Sequence, residues 1–329
     1  MMERRFQLPP PKEYTVGWVC ALPIEYAAAQ ELLDEEHTEP SLDPNDGNSY
    51  AFGTFDKHNV VIACLPAGQT GNVSAAALVT QMMASFREIR FILLVGVGGG
   101  VPSVRNDIRL GDVVISQPAQ NYGGVVQYDF GKEKPGGFVR TGSLASPPKA
   151  LLSAVAKLQS NYFRQKIRSV EYITKLHRLP VFGRDIDWAD TLYEAEYTHV
   201  GEEGQTCKSC SQERVVKRAP RKTSQFVIHY GTIASGDKVM RDAVIRDRVS
   251  RGLGGVLCFE MEAAGLMNNA PCLVIRGICD YADSHKNKLW QAYAAGTAAA
   301  CAKELLSVIP ATDIINTTTS HKRIDARPG

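Results

Sequence analysis

Three carboxylates in this chain stand where apolar runs end. Cys258-Phe259-Glu260-Met261-Glu262-Ala263-Ala264-Gly265 is one such run. Val274-Ile275-Arg276-Gly277-Ile278-Cys279-Asp280-Tyr281-Ala282-Asp283 follows it closely. Apolar runs of this length read as buried strands, and in α/β sheets ligands bind outside strand ends. The pattern therefore predicts Glu260, Glu262 and Asp280 at neighbouring strand ends. There Glu262 can accept hydrogen bonds from vicinal hydroxyls, and a buried Asp280 can hand a proton to a leaving group. A third segment, Tyr14-Thr15-Val16-Gly17-Trp18-Val19-Cys20-Ala21-Leu22-Pro23-Ile24-Glu25, reads as a strand running into a helix, with Glu25 just past the strand end. Each acid also has a structural reading. Glu25 and Glu262 suit a helix start, where the macrodipole favours negative charge. Glu260 suits an orienting or purely structural carboxylate, and Asp283 a cap on the following turn.

The elements that must position these groups follow from the apolar punctuation. Residues 49–55 and 59–65 read as a strand pair turning near Asp56-Lys57-His58-Asn59, and 72–86 as a helix rich in small residues. Residues 91–95 form a buried strand that ends in Gly96-Val97-Gly98-Gly99-Gly100-Val101-Pro102, read as a loop. The spacing is wrong for a dinucleotide fingerprint, and no Gly-Lys-Ser/Thr follows to make a P-loop. Glycines at a strand end still let a ligand approach the backbone closely. Further strands are expected at 110–116, 125–130 and 226–231, and helices at 147–158, with Ser146 as cap, and at 288–309. From about 160 to 224 the pattern weakens into charges, aromatics and loop residues, which reads as an insertion. Residues 1–13 and 310–329 read as polar tails around one domain, 14–309.

Composition bounds the function. A chain of 329 residues, 44% hydrophobic, can bury one sizeable α/β core. With 37 basic and 35 acidic residues the net charge is +2, too balanced to suggest nucleic-acid binding. The N-terminus lacks a signal-peptide apolar core, and no run approaches the roughly 20 residues of a membrane span. A cytoplasmic chain with no membrane partner is expected. Cys20, Cys64, Cys258, Cys272, Cys279 and Cys301 lie in apolar segments and read as reduced core residues. Cys207 and Cys210 form Cys-x-x-Cys in a polar stretch with His199 upstream. Zinc is one reading, but a fourth ligand at ordinary spacing is missing, so a reduced loop pair without metal is preferred.

The three carboxylate segments together resemble the nucleoside phosphorylase and nucleosidase superfamily. In that family a Glu-Met-Glu segment holds the ribose, and a later Asp faces the purine. The N-terminal segment resembles the one that carries the water-activating glutamate in the methylthioadenosine/S-adenosylhomocysteine nucleosidase branch. Cys-Phe-Glu-Met-Glu-Ala-Ala-Gly and Ile-Cys-Asp-Tyr-Ala-Asp-Ser-His-Lys-Asn-Lys look most like phosphorylase-type domains at the N-termini of fungal immune-receptor-like proteins. The resemblance spans about residues 14 to 308. It implies a three-layer α/β/α domain with a central mixed, partly barrel-like sheet, no cofactor, a purine nucleoside or nucleotide as small-molecule partner, and a homo-oligomer.

The resemblance also implies roles. Gly98 and Gly99 wall the purine and ribose, Met261 packs on the sugar, and Glu262 grips its hydroxyls. Ser235-Gly236-Asp237-Lys238-Val239-Met240 resembles the purine-facing element, with Val239 and Met240 where relatives often place an aromatic, so base stacking is weaker or comes from elsewhere. Phosphorolytic relatives hold phosphate in an N-terminal loop with an arginine, because a dianion needs backbone donors and a bidentate cation. Glu25 in that place repels phosphate and favours water. The expected activity is therefore purine N-ribohydrolysis of adenosine or an adenine nucleotide, ATP included, with Glu25 as base and Asp280 as acid. A phosphate-dependent purine nucleoside phosphorylase and a catalytically silent nucleoside-binding module are the alternatives. On the 5′ side His285, Lys286 and Lys288 could face a phosphate chain while Trp290 lines the sugar edge; Arg105, Lys132, Arg140 and Arg184 are further cations that sequence does not place.

Overall fold

Strand β5 (Phe91–Gly100) divides the core. Phe91, Leu93 and Val95 join one buried apolar cluster, Ile92 and Leu94 another, because successive strand side chains point to opposite faces. The computed structural model describes residues 13–40, 42–185, 188–221 and 226–310. Helices α1 (Pro23–Glu31), α3 (Lys149–Phe163), α4 (Ser169–Leu176) and α7 (Gln291–Val308) contribute to the first cluster, and α2 (Asn72–Ser85) and α6 (Ala263–Leu266) to the second. A further helix, α5 (Ala243–Gly252), has Asp242 as N-cap, its side chain accepting from Ile245 N. Helix α7 packs flush on the sheet through Ala294, Ala295, Ala298 and Ala299. A Cβ on Gly277 of the strand beneath would lie 1.9 Å from Ala294 O. Only glycine permits that approach.

The remaining strands are β1 (Val16–Cys20), β2 (Glu35–His37), β3 (Tyr50–Phe55), β4 (His58–Cys64), β6 (Val113–Ser116), β7 (Val125–Gln127), β10 (Ile228–Gly231), β11 (Ile233–Ser235), β12 (Cys258–Glu260) and β13 (Cys272–Asp280). A separate exposed hairpin joins β8 (Gly131–Lys134) and β9 (Gly137–Arg140). The main path runs β10-β6-β13-β5-β1-β4-β3-β2. Its centre, β13-β5-β1-β4, is parallel, whereas β2, β3 and β6 pair antiparallel with β3, β4 and β13. At Gly99 and Gly100, β5 also pairs antiparallel with β12, which continues through β11 to β7. This fork gives the mixed sheet its partly barrel-like second limb. The architecture is the expected three-layer α/β/α arrangement.

Four expectations are corrected. The glycine run is strand, not loop: β5 continues through Gly100. The strands carrying Glu260 and Asp280 are not adjacent, because β5 lies between β12 and β13 and pairs with both. Ser146 does not cap α3, whose N-cap is Pro148 without a side-chain bond. The weakly patterned segment from about 160 begins inside α3 and includes α4, which docks on α7. Glu304 of α7 accepts from Arg168 N (3.0 Å) and Ser169 N (2.9 Å), satisfying donors at the start of α4. The tails at 1–12 and 311–329 lie outside the described residues.

Candidate active site

Glu25 sits in the first turn of α1, directly after β1, and is 3% exposed. Its Oε2 accepts from Ala21 N (2.8 Å) and Leu22 N (3.0 Å), and its Oε1 from Val97 N of β5 (2.8 Å). The strand-to-helix turn thus folds the carboxylate back over the sheet edge. Burial raises its pKa, opposed by Arg276 and the three backbone donors. A carboxylate whose pKa is raised is a stronger base than an ordinary glutamate.

Arg276, on β13 and 1% exposed, organises the acids around it. Its Nη2 donates to Glu260 Oε2 and to Glu262 Oε2 (3.2 Å). Glu260 also accepts from the backbone of Glu262 and Ala263, so it orients the start of α6. Glu262 accepts a long bond from Gly71 N at 3.3 Å. Burial pushes its pKa up to about 7; Arg276 opposes the rise, and the Glu260 and Glu25 charges add to it. Burial works against the Arg276 charge, yet the surrounding glutamates raise its pKa overall. The glycines of β5 make room for this cluster. A Cβ on Gly96 would lie 2.6 Å from both Arg276 Nη1 and Glu25 Oε1, and one on Gly99 would lie 2.7 Å from Asp280 Oδ1.

Asp280 ends β13 just past a register shift between Ile278 and Asp280, a bulge that re-aims its side chain. Its Oδ1 accepts from Ala282 N (2.8 Å), and Oδ2 from the Cys279 thiol (3.1 Å) and Lys286 Nζ (2.9 Å). Burial opposes the Lys286 charge, but Asp280 together with Cys279 outweighs it and the lysine pKa rises. Asp283, 4% exposed, caps the next turn by accepting from His285 N (2.9 Å). Burial lifts its pKa to about 6.

One cleft collects Glu25, Gly98, Gly99, Val239, Met240, Met261, Glu262 and Asp280. Trp290 is the exception and a correction. It does not line this cleft but lies buried behind it in an adjoining cavity, beside Trp188 and under the Arg184 guanidinium. Of the basic candidates Lys286 reaches the cleft, joined by Lys238. Arg105, Lys132, Arg140, Arg184, His285 and Lys288 do not line it.

Phe259 and Arg276 are among the wall residues that escaped the sequence reading. Phe259, directly before Glu260, is buried against Tyr128 and adds an aromatic surface to the cleft wall. Arg276 was visible only as a charge inside an apolar strand, itself a sign of buried pairing. Asp237, by contrast, serves structure: its Oδ1 accepts from Asn72 N (2.9 Å) at the start of α2.

An acid-lined cleft at the carboxyl ends of parallel strands, within a forked α/β/α sheet, defines a class of ligand-binding α/β fold. The chain belongs to the phosphorylase superfamily, whose sequence profile matches residues 15–309. It is 45% identical over 302 residues to a nucleotide-binding leucine-rich repeat (NLR)-like protein of Hyaloscypha variabilis, covering 91% of this chain but 30% of that protein. It is 23% identical over 290 residues to the ATP nucleosidase Cap17 of Escherichia coli, covering 85% of this chain and 48% of the relative. The chain therefore spans less than half of either relative. Among solved structures, 5′-methylthioadenosine/S-adenosylhomocysteine nucleosidase from S. pneumoniae, bound to a transition-state inhibitor, superposes with a TM-score of 0.55 at 18% identity. That match covers 90% of this chain and 100% of the other.

Proposed function

We propose that this chain is a purine N-ribohydrolase that releases adenine from adenosine or an adenine nucleotide, ATP included. The observation that carries the reading is Glu25, a buried carboxylate fixed by three backbone donors and sharing one cleft with Glu262 and Asp280. Glu262 receives the ribose hydroxyls and Met261 packs against the sugar. Val239, Met240 and Phe259 enclose the base, and Gly98 and Gly99 let it lie close to β5. Water gives a proton to Glu25 as its oxygen bonds C1′. The C1′–N9 bond breaks, its electron pair passes into the purine, and Asp280 protonates N7. Acid and base thus flank an oxocarbenium-like sugar, as in glycoside hydrolysis. The Asp280–Lys286 pair takes its proton back from solvent, and Glu25 releases its own to solvent. One water is consumed per adenine released.

Electrostatics favour water over phosphate. Glu25, Glu260 and Glu262 share the one Arg276, whose Nη2 is already bonded to two of them. A phosphate dianion would meet carboxylates rather than a free guanidinium. Lys238 and Lys286 line the same cleft and suit a 5′ phosphate chain. The relative named as an ATP nucleosidase supports a nucleotide substrate. The test is free adenine released from adenosine, AMP and ATP by purified protein, with and without phosphate. Release in phosphate-free buffer supports the proposal. Strict phosphate dependence makes the chain a phosphorylase, and no release from any of the three refutes the activity.

A further inference from the structure

Behind the cleft, a second cluster gathers groups that the proposed reaction does not use. Nδ1 of His199 lies 3.7 Å from Cys207 Sγ and 3.4 Å from Cys210 Sγ, and all three atoms fall within 4.8 Å of one another. Zinc bonds of about 2.3 Å to sulfur and about 2.0 Å to nitrogen give a tetrahedron whose S···N edges are roughly 3.6 Å. The two observed separations bracket that value. Cys207–Ser209 forms one tight turn closed by Cys210 N donating to Cys207 O (3.2 Å), and Val200 N donates to Cys210 Sγ (3.5 Å). A thiolate gains from such a backbone donor.

The candidate for the fourth corner comes from far along the chain and lies outside that 4.8 Å group. His285, in the loop after Asp280, is 8% exposed, and its Nε2 has no hydrogen-bond partner among the described residues. An unpaired buried ring nitrogen is costly unless something binds it. Its ring meets that of His199 edge-on, centroids 5.5 Å apart at 90°, and stacks on Tyr193 at 4.0 Å. Asp283 Oδ1 lies 3.9 Å from the other ring nitrogen, Nδ1. A carboxylate on that side is the usual partner that orients a metal-bound histidine.

We propose that His199, Cys207 and Cys210 bind one Zn2+, with the unpartnered His285 Nε2 swinging in as the fourth ligand to close a structural site. Two thiolates with two imidazoles suit zinc rather than a hard cation. Loading releases two thiol protons to solvent. The ion staples the 190–216 segment to the loop carrying Asp283 and Lys286, alongside the bond from His199 N to Ser284 Oγ (3.0 Å). Its role is to hold the wall behind Asp280, not to take part in the reaction, so the proposal stands or falls apart from the activity.

The test is metal analysis of the full chain purified under reducing conditions without chelator, with Co2+ substitution as a spectroscopic probe. The expected result is about one zinc per chain, tetrahedral d–d and thiolate-to-cobalt charge-transfer bands, loss of metal in Cys207→Ser, and zinc affinity weakened about tenfold or more in His285→Ala. Absence of zinc together with absence of cobalt bands in the wild-type protein overturns the site without requiring any variant to fold. A Cys207–Cys210 disulfide in the reduced preparation also overturns it. Unchanged zinc affinity in His285→Ala overturns the four-ligand set.

Discussion

Replacing Arg276 by methionine tests how the acid cluster is held. The guanidinium is 1% exposed and bonds Glu260, whose side chain is fully buried, and Glu262. Methionine keeps most of the aliphatic stem, so the main loss is charge compensation. Removing one partner of a buried ionic group costs about 3–5 kcal/mol, because the other charge is left unpaired. The penalty falls as pH drops, since Glu262, whose pKa is raised to about 7, can then take up a proton. The assay is urea unfolding followed by tryptophan fluorescence, to which the fully buried Trp18 contributes, at pH 5.5 and 8. The single variant should lose about 3–5 kcal/mol at pH 8 and distinctly less at pH 5.5. Adding Glu260→Gln to Arg276→Met should recover part of the loss, because the lone charge is gone. A loss below about 1 kcal/mol at pH 8, the range of a surface pair, or a double variant weaker than the single, would refute buried compensation as the organising interaction.

Glu262 gives a pH dependence of its own. Its folded pKa is raised from 4.5 to about 7, so its stabilising proton is fully present below about pH 4.5 and lost as pH rises through about 7. Glu262→Gln should flatten the stability-pH curve in that window, and an unaltered curve would remove Glu262 from its origin. Gly99→Ala puts a methyl 2.7 Å from Asp280 Oδ1 and 2.8 Å from Ala282 Cβ. It should cost about 1–3 kcal/mol of stability and about tenfold or more in kcat by displacing Asp280; wild-type kcat and Tm would show that the strand has room. Asp280→Asn should lower kcat on adenosine about 10²- to 10⁴-fold but spare a p-nitrophenyl riboside, whose leaving group needs no protonation. Equal losses on both substrates would argue against an acid role.

The sequence made the sheet legible where residue type and period agreed. Apolar runs bounded by turn residues locate β1, β3, β4 and the first half of β5, and the carboxylates at 25, 262 and 280 stand out because acids seldom end apolar runs without use. What stayed hidden depends on partners distant in sequence. Gly96 through Gly100 looks like a loop in isolation. It is a strand because Arg276, Glu25 and Asp280 fill the space its missing side chains leave. The pairing of β12 with β5 rather than β13 is a long-range choice that no local pattern encodes. Trp290 reads as a sugar-edge residue because it follows Asp280 closely, but the turn capped by Asp283 carries it behind the cleft. His285 could not be joined to Cys207 and Cys210 by spacing, since only the folded loop brings it to them.

The measurement that bears most directly on the account is adenine release by Glu25→Gln beside wild type in phosphate-free buffer, with adenosine, AMP and ATP. Glutamine can accept through one oxygen, but its amide N–H cannot accept from Val97 N, or from Ala21 N and Leu22 N, whichever it faces. It also cannot take a proton from water. The account predicts a kcat lowered about 10²- to 10⁴-fold with substrate still bound; turnover within about threefold of wild type would contradict it and take Glu25 out of the chemistry.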